Sequence, residues 1–522
     1  MARMSTAEDA AIAAAPPHTR TFFGHPIGLS TLFFTEFWER FSYYGIRPLL
    51  ILFMAAAIRD GGFGIERTQA SAIVGIYAAS VYLASLPGGW VADRLLGLRR
   101  AIMCGAVLIA VGHISIGTSA FLHAKSPFFL GLIFIVLGTG LLKPNISAIV
   151  GDLYPEGGAR RDAGFNIFYV GINSGAVAGQ LLTGLLGEKI GWHWGFGIAG
   201  VGMLLGVAWF GLRAQPTLGN LGTEISRDPD PVKQVRQERM MKLVLFIGLA
   251  ILALVFVLGA TGALTLNPLA IGENMTYVLV GLAALYFGYV FIAGGLNSEE
   301  KKRIVVIAFL FVFASIFWAG FEQAPTSLNL FARDFTNRMF FGYEIPAIWF
   351  QVANSLFIVF LAPFFASLWL NLGSRNKNPG SATKFSLGLL FGGLGFAVMI
   401  PAAYAVVNSG GALKVSPWWL IGSYFVQTIG ELLLSPVGLS SMTKLSPRKY
   451  VGQMMGIWFL ATSVGNLIAG LVGGNVDPEK LEQTPKVFIG TTIALIAAAV
   501  LLAILVPFIK KLIPNEDKLV GA

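Results

Sequence analysis

The residues best suited to chemistry in this chain occupy one short segment, Glu36-Phe-Trp-Glu39-Arg40-Phe-Ser-Tyr43-Tyr44-Gly45. A helix places its charged and phenolic side chains, with the next arginine, along a single stripe: Glu36, Glu39, Arg40, Tyr43 and Arg47. The surrounding run is long and apolar enough to cross a bilayer, where each charged residue at the helix centre costs about 2.5–3.5 kcal/mol. We therefore expect the stripe to face a polar cavity that binds a solute or exchanges protons. The alternative is a fixed ion pair without a transport role, but a single acid would suffice for that.

The composition indicates that this stripe lies on one helix of a membrane protein with many helices. Of the 522 residues, 12% are charged and 55% are hydrophobic, whereas soluble domains carry about 25% charged residues. Repeated apolar runs of membrane-spanning length predict an all-α membrane protein with fourteen transmembrane helices. We place them at 28–56, 68–92, 101–122, 127–151, 163–187, 194–212, 242–262, 275–296, 303–332, 342–370, 384–407, 416–442, 451–474 and 486–509.

The basic residues are distributed unevenly between the two sides of the predicted membrane. With the N-terminus in the cytoplasm, the cytoplasmic flanks hold 25 of the 37 Lys and Arg residues, the outer loops hold 9 and the spans hold 3. This asymmetry follows the positive-inside rule and places both termini in the cytoplasm. It also accounts for the net charge of +10 without a nucleic-acid partner. The first 26 residues lack a contiguous apolar core, so we expect no cleavable signal peptide.

The spans are grouped as six, two and six. We predict a cytoplasmic tail (1–27), a six-helix bundle (28–212), a linker with two additional inserted helices (213–301), a second six-helix bundle (302–512) and a second cytoplasmic tail (513–522). The glycines and basic residues after the second span recur weakly at 366–377, the corresponding place in the second half. Two such halves, related by an axis along the membrane normal, are typical of the major facilitator superfamily fold.

Further charged residues occur inside predicted spans of both halves. Lys143 precedes Pro144 in the fourth span, near its middle, and snorkelling to the surface is the less favoured alternative. Glu322 and Glu431 belong to the second half, so a cavity between the halves has a basic wall and an acidic wall. Such a cavity suits a zwitterion whose two charges are several ångströms apart.

Other membrane residues are candidates for lining this cavity or for gating it. The aromatic candidates are Tyr43, Tyr44, Tyr82, Trp318 and Trp458, and the amide candidates are Asn173 and Asn354. Membrane aromatics are more often packing residues or interfacial anchors, whereas an amide in mid-span needs a partner. The segment after the second span predicts a cytoplasmic gate in which Asp93 pairs with a neighbouring helix end; its members are Gly89, Asp93, Arg94, Arg99 and Arg100.

The sequence argues against an enzyme. It contains neither His-Glu-x-x-His nor Gly-x-Ser-x-Gly, and its five histidines are scattered, so we predict no metal site and no catalytic residues. A receptor or scaffold would not require charges in both halves. A transporter of another solute, such as nitrate or a sugar, stays open, although an anion carrier would have no need of Glu431.

The segment from Glu36 to Gly45 resembles the first-helix signature of the proton-dependent oligopeptide transporters, a branch of the major facilitator superfamily. Supporting similarities run through both halves in the family's order: Lys143-Pro-Asn, Phe165-Asn-Ile-Phe-Tyr169 with Asn173-Ser-Gly175, Gly191-Trp-His-Trp-Gly-Phe196, Phe317-Trp318 with Glu322-Gln323, and Gly430-Glu431 with Ser435-Pro436. The two inserted helices and the short loop near 407–415 are similar to those of bacterial members.

The resemblance implies a proton-coupled symporter that imports di- and tripeptides across the bacterial inner membrane by alternating access, as a monomer and without a cofactor other than the proton. It implies proton coupling by Glu36, Glu39 and Arg40. Arg47 and Lys143 would bind the peptide carboxylate, and Glu431 the amino terminus. Glu322 would pair in turn with Lys143 or Arg47 as an inter-bundle gate. Asn173 and Asn354 would hold the peptide backbone, and the five aromatic residues would shape side-chain pockets; Thr462 stands where a small hydroxyl residue is expected.

Overall fold

The computed structural model describes residues 21–122, 124–225, 230–375 and 377–513, and these are almost entirely helical. Two short antiparallel hairpins are the exceptions: β1 (Thr21–Phe22) pairs with β2 (His25–Pro26), and β3 (Met339–Phe340) pairs with β4 (Tyr343–Glu344). Most of both predicted tails lies outside the described residues.

Six long helices form the first half of the chain. They are α1 (Gly28–Ala55), α2 (Arg67–Val91, extended by a π-helical turn, Ala92–Leu96), α3 (Leu98–Leu122), α4 (Lys125–Asp152), α5 (Gly158–Lys189) and α6 (Trp192–Leu218). Helix α1 packs against α5 and α6, and α3 packs against α4. The stripe of charged residues on α1 is therefore enclosed by its own half on one side.

Two helices follow before the second half: α7 (Pro231–Ala260) and α8 (Pro268–Ala293). Both begin in the same way, with a side chain that caps the helix and a proline in its first turn. Asp230 accepts from the amides of Val232 and Lys233, and Asn267 accepts from those of Leu269 and Ala270.

The second half contains seven helices that make six spans. They are α9 (Ser298–Phe321), α10 (Asn329–Phe335), α11 (Val352–Ser374), α12 (Ser381–Asn408), α13 (Trp418–Leu445), α14 (Val451–Gly473) and α15 (Gln483–Leu512). Helices α9 and α10 form one broken span, joined by a π-helical turn over Ala324–Leu328. With the spans of the first half and the two helices between, the described residues provide the fourteen predicted spans.

Twelve of the described spans are long and apolar enough to cross a membrane by length and composition. The other two, α1 and α5, are equally long but more polar, and both are among the helices that line the interior of the protein. Polar residues in membrane helices almost always face the interior of the bundle, so the excess polarity of these two helices is what a solute pathway requires.

The two halves approach most closely where α2 packs against α14. A Cβ atom at Gly75 would lie 2.7 Å from the Cα of Gly470 and 2.7 Å from the carbonyl oxygen of Asn466. Only glycine permits this backbone-to-backbone approach, as is common where membrane helices cross.

Two predicted spans differ from the structure. The continuous helix predicted at 303–332 is wrong at Glu322, because α9 ends at Phe321 and a wider turn begins beside Pro325, which has no amide hydrogen to donate. The span predicted at 342–370 begins too early, because residues up to Glu344 form the β3–β4 hairpin and the helix starts at Val352. The predicted domain boundaries stay a prediction.

Candidate functional site

A cavity of about 160 Å³ lies between the two halves, and helices of both halves contribute to it. Eight of the residues selected from the sequence line it: Tyr44, Arg47, Tyr82, Asn173, Trp318, Glu322, Asn354 and Glu431. The structure thus brings charged, amide and aromatic residues of both halves into one chamber.

The acidic and basic residues at the start of the α1 stripe form a buried cluster beside this cavity. Arg40 donates to Glu39, and its Nε lies 3.2 Å from Oε1 of Glu36. The three residues are at most 2% exposed, and Thr139 of α4 donates to Oε1 of Glu39 over 3.4 Å. Oε2 of Glu36 and Nη2 of Arg40 have no hydrogen-bond partner within the described residues. The cluster can therefore rearrange its pairing without breaking bonds to the rest of the bundle at those two atoms.

Arg47 joins the two halves. Its guanidinium donates to Glu322 at the end of α9 and also to Oδ1 of Asn466 on α14, over 2.9 Å. The side chains of Arg47 and Glu322 are 8% and 6% exposed. This pair is one of the two that the resemblance implies for Glu322.

Lys143 does not form the other pair in this structure. Its Nζ lies 4.5 Å from the centre of the Tyr82 ring, a cation–π contact, and Lys143 is not among the residues that line the cavity. Helix α4 continues through Pro144, and the side-chain Nδ2 of Asn145 donates to the carbonyl of Leu141 over 2.6 Å. The ring of Tyr82, which lines the cavity, separates Lys143 from it.

Glu431 lines the same cavity as Arg47 but belongs to the second half, on α13. Its Oε2 accepts from Nδ2 of Asn354 over 3.1 Å, and the same amide donates to Thr428 over 3.0 Å. Among the described residues, Glu431 has no basic partner. The cavity thus holds one acid that is balanced only by an amide.

Three further residues selected from the sequence lie behind the cavity wall. Tyr43 is 2% exposed and its ring lies 5.1 Å from the Arg40 guanidinium carbon and 6.0 Å from that of Arg47. Trp458 is 5% exposed and packs against Phe385, and the hydroxyl of Thr462 donates to the carbonyl of Trp458 over 3.3 Å. The contacts of these side chains direct them into the bundles, so they support the wall rather than form it.

Several polar lining residues were not selected from the sequence: Tyr169, Gln180, Gln351, Tyr424 and Gln427. Within the described residues, three of them and Trp318 keep a buried polar atom without a hydrogen-bond partner: Oε1 of Gln180, Nε2 of Gln351, Oη of Tyr424 and Nε1 of Trp318. The signal that selected Asn173, an amide inside an apolar run, also applies to Gln180, Gln351 and Gln427. These groups give the cavity donors and acceptors in addition to its charges.

We call the end of the protein with the loops 56–66, 336–346 and 409–417 the closed end, because contacts between the halves seal it. Arg67 of α2 pairs with Asp334 of α10 and lies 3.8 Å from Asp477. The side-chain Nδ2 of Asn329 donates to the carbonyl of Pro48 over 2.8 Å, and Arg333 donates to that of Leu52 over 3.2 Å. The seal is therefore built from charged and polar contacts that can exchange partners.

The β3–β4 hairpin adds a second set of contacts at the closed end. Carboxylate oxygens of Glu188 at the end of α5 accept from the amides of Ala347 and Ile348 over 3.0 and 3.1 Å. Lys189 donates to Glu344 over 3.1 Å. This hydrogen bond lowers the pKa of Glu344 below its ordinary value, and the positive charge of Arg338 acts in the same direction. The carboxylate form of Glu344 therefore favours closure.

The opposite end, with the loops 153–157, 294–297 and 446–450, is open. A second cavity of about 960 Å³ extends from the central one toward this end, and Tyr169, Asn173 and Ile358 line both. Lys384 and Lys444 line its outer part. A solute in the central cavity thus has a path to one end of the protein.

The predicted gate motif lies at the open end, around the π-helical turn of α2. Arg94 donates to Oε1 of Gln237 on α7 over 3.1 Å, and the amide of Arg99 donates to the carbonyl of Gly222 over 2.9 Å. Asp93 and Arg100 are exposed, and Asp93 makes no ion pair or hydrogen bond within the described residues. The pairing predicted for Asp93 is therefore absent from this conformation.

Comparison with known proteins places this architecture in a family. The model of the POT family matches residues 99–487. The chain belongs to the POT family. The residues that match the family model begin after the α1 stripe, but similarity to individual members covers nearly the whole chain.

Two curated members illustrate this similarity. The chain is 49% identical to the peptide transporter YePEPT of Yersinia enterocolitica subsp. palearctica serotype O:3 (strain YE-P4), over 96% of this chain and 98% of the relative. It is 39% identical to a di-/tripeptide transporter of Lactococcus lactis subsp. cremoris, over 94% and 97% of the two chains. A crystal structure of a peptide transporter POT in complex with sulfate matches with a TM-score of 0.85 and 38% identity, over 97% and 99% of the chains. These similarities confirm the predicted POT membership and the major facilitator superfamily fold of two six-helix bundles with two inserted helices.

Proposed function

We propose that the protein is a proton-coupled symporter that imports di- and tripeptides across the bacterial inner membrane by alternating access, acting as a monomer with the proton as its coupling ion. Membership of a family of peptide transporters, and relatives named di-/tripeptide transporters, support peptides as the solute. The charged residues that line the central cavity are complementary to the ammonium and carboxylate groups of such a solute.

The observation that carries the proposal is the separation of charge across the cavity. Within the part of the chain that the structure describes, Glu431 has an amide partner and no basic one, whereas Arg47 belongs to the other half and Lys143 lies behind Tyr82. A peptide that spans the cavity places its ammonium group at Glu431 and its carboxylate at Arg47 and Lys143. The unpartnered polar atoms of Gln180, Gln351 and Tyr424 are then available to the peptide amides.

Coupling to protons uses the cluster of Glu36, Glu39 and Arg40. A proton that binds either carboxylate removes a charge partner of Arg40, because both acids contact the same guanidinium. Lys143 lies in the electrostatic field of both acids and of Glu322. Protonation therefore changes the charge balance that holds Lys143 away from Glu322, and so couples the cluster to the contact between the halves.

Solute binding also acts on the contact between the halves, through the pair of Arg47 and Glu322. A peptide carboxylate at Arg47 competes with Glu322 for the guanidinium, since the three groups would share one site. Proton and peptide then bias one two-state element, the pairing between the halves, which is what obligatory co-transport requires.

The distribution of basic residues assigns the two ends to the two sides of the membrane. The positive-inside rule puts the loops of the open end in the cytoplasm. The structure then corresponds to the state that releases peptide inward, with the closed end facing outward.

The direct test is uptake of labelled dialanine into vesicles that contain the purified protein. We expect accumulation above equilibrium when the outside is more acidic, and none without the gradient. Glu431→Gln should lose uptake, whereas Glu273→Gln, which changes an exposed acid of α8, should keep it. Gradient-independent uptake would refute proton coupling, and inhibition by nitrate or sugars but not by peptides would refute the peptide assignment.

A further inference from the structure

Helix α7 stands apart from the rest of the protein. No described residue from Lys242 to Ala260 is buried, whereas α8 packs against both α2 and α14. Helix α7 is attached near the open end, where Met241 is 1% exposed and Arg94 donates to Gln237. In its remaining length through the predicted membrane, the described residues of α7 are exposed or only half-buried.

A groove of about 720 Å³ separates α7 from α2 and α4. Its walls are mainly apolar and include Ile73 of α2, Phe129 and Val136 of α4, and Leu252 and Phe256 of α7. Water is poorly suited to this groove, because a stable water site needs two to four polar partners. Hydrocarbon is the occupant that matches such walls at membrane depth.

The groove has one polar mouth, at the closed end. Lys125 and Ser126 begin α4, both are exposed, and Thr265 of the α7–α8 loop lines the same mouth. The lining contains no acidic residue within the described part of the chain. The ammonium group of Lys125 lies 6.0 Å from the centre of the Phe63 ring. With the hydroxyls of Ser126 and Thr265 in the same lining, this end of the groove offers groups that can bind a phosphate.

The length of the groove matches one leaflet of a bilayer. The lining residues of α4 run from Lys125 to Leu137, which at the rise of a helix corresponds to about 18 Å. Half of the hydrocarbon core of a bilayer is about 15 Å thick. An acyl chain whose headgroup lies at Lys125 would therefore end near the middle of the membrane.

We propose that this groove binds an anionic glycerophospholipid, with an acyl chain between α4 and α7 and the phosphate at Lys125. The bound lipid supplies the apolar contacts that α7 lacks from protein. The proposal concerns a site outside the solute pathway and does not depend on which solute is transported.

The acyl-chain part is tested by photolabelling in nanodiscs that contain phosphatidylglycerol with a diazirine on the acyl chain, followed by peptide mapping. We expect labels concentrated between Phe129 and Leu137 and between Leu252 and Ala260. Leu252→Trp fills the groove and should remove most of this labelling. Leu254→Trp, on the exposed face of α7, should leave it unchanged. Labels spread evenly over all lipid-facing helices, or an equal response of the two variants, would overturn the proposal.

The headgroup part is tested by native mass spectrometry of the full chain titrated with phosphatidylglycerol or phosphatidylcholine. Lys125→Ala should weaken phosphatidylglycerol retention about fivefold, which corresponds to about 1 kcal/mol for one basic residue next to an anionic headgroup, and leave phosphatidylcholine unchanged. Lys486→Ala, an exposed lysine in the first turns of α15, is the matched control and should change neither. Displacement by inorganic phosphate alone, or an unchanged preference for phosphatidylglycerol in Lys125→Ala, would contradict the assignment.

Discussion

Removing the carboxylate of Glu322 should open the closed end of the protein. Glu322→Gln keeps the size of the side chain but leaves Arg47 with a neutral partner in a position where the arginine is 8% exposed. Loss of one member of a buried ion pair typically costs about 3–5 kcal/mol, because the remaining charge is uncompensated. Arg47 still donates to Asn466 over 2.9 Å, so we take the lower end of this range.

A cost of about 3 kcal/mol corresponds to a shift of roughly 10²-fold in a two-state equilibrium. The shift applies to the conformation that contains the Arg47–Glu322 pair, so the closed-end contacts between the halves should break in a measurable fraction of molecules. The remaining contacts at this end, such as Arg67 with Asp334, limit the effect but are themselves partly exposed.

The shift is measured by double electron–electron resonance, which gives the distances between two spin labels on the protein in nanodiscs. Labels at Ile58 and Leu413 report on the closed end from the two halves, and both positions are exposed, at 75% and 47%. The background carries Cys104→Ser, which removes the single cysteine of the sequence. We expect a longer distance population in Glu322→Gln. The matched control is Glu299→Gln, which removes an exposed pair with Lys302 and should leave the distances unchanged.

A distance distribution identical to that of the parent protein would refute this reasoning. It would mean that the hairpin and the α10 contacts hold the closed end without the ion pair, and that the pairing between Arg47 and Glu322 is not the element that peptide and proton bias.

Three further predictions concern coupling, solute binding and the hairpin. Glu39→Gln should abolish uphill dialanine uptake in vesicles but preserve exchange, since only the proton site is lost; full accumulation would contradict the role. In Lys143→Ala, uptake of dialanine should fall by at least as large a factor as uptake of dialanine amide. Dialanine uptake at the wild-type rate would exclude a contact between Lys143 and the peptide carboxylate. Because the pKa of Glu344 is lowered in the folded protein, its contribution to closure is complete above the ordinary value of 4.5 and is lost as the pH falls through the lowered pKa. Glu344→Gln at neutral pH should therefore lengthen the distances between the same spin labels, and a variant whose distances equal those of the parent at neutral pH would refute this assignment.

The membrane architecture was largely predictable, because apolar runs and basic flanks depend on local composition. The stripe on α1 was also predictable, since helical spacing alone determines which side chains share a face. Its first members form one buried cluster, and Arg47 reaches the facing half.

The less predictable features depend on contacts between distant segments. The break after Phe321 places Glu322 beside Arg47, and although Pro325 is a local signal for a break, it does not predict this contact between the halves. Lys143 could pair with several acids from its position in the sequence, and the ring of Tyr82 decides its place here. Gln180 and Gln351 were detectable as amides in apolar runs, but only the tertiary structure shows that they face the cavity.

The central claim, that Glu431 and the basic residues of the facing half bind the two ends of one zwitterion, is tested most directly by calorimetric titration of dialanine and N-acetyl-dialanine. The parent protein should bind dialanine and discriminate strongly against the acetylated peptide, while Glu431→Gln should bind both weakly and without discrimination. If Glu431→Gln still preferred the free amino terminus as strongly as the parent, the charge layout of the cavity would not explain solute recognition.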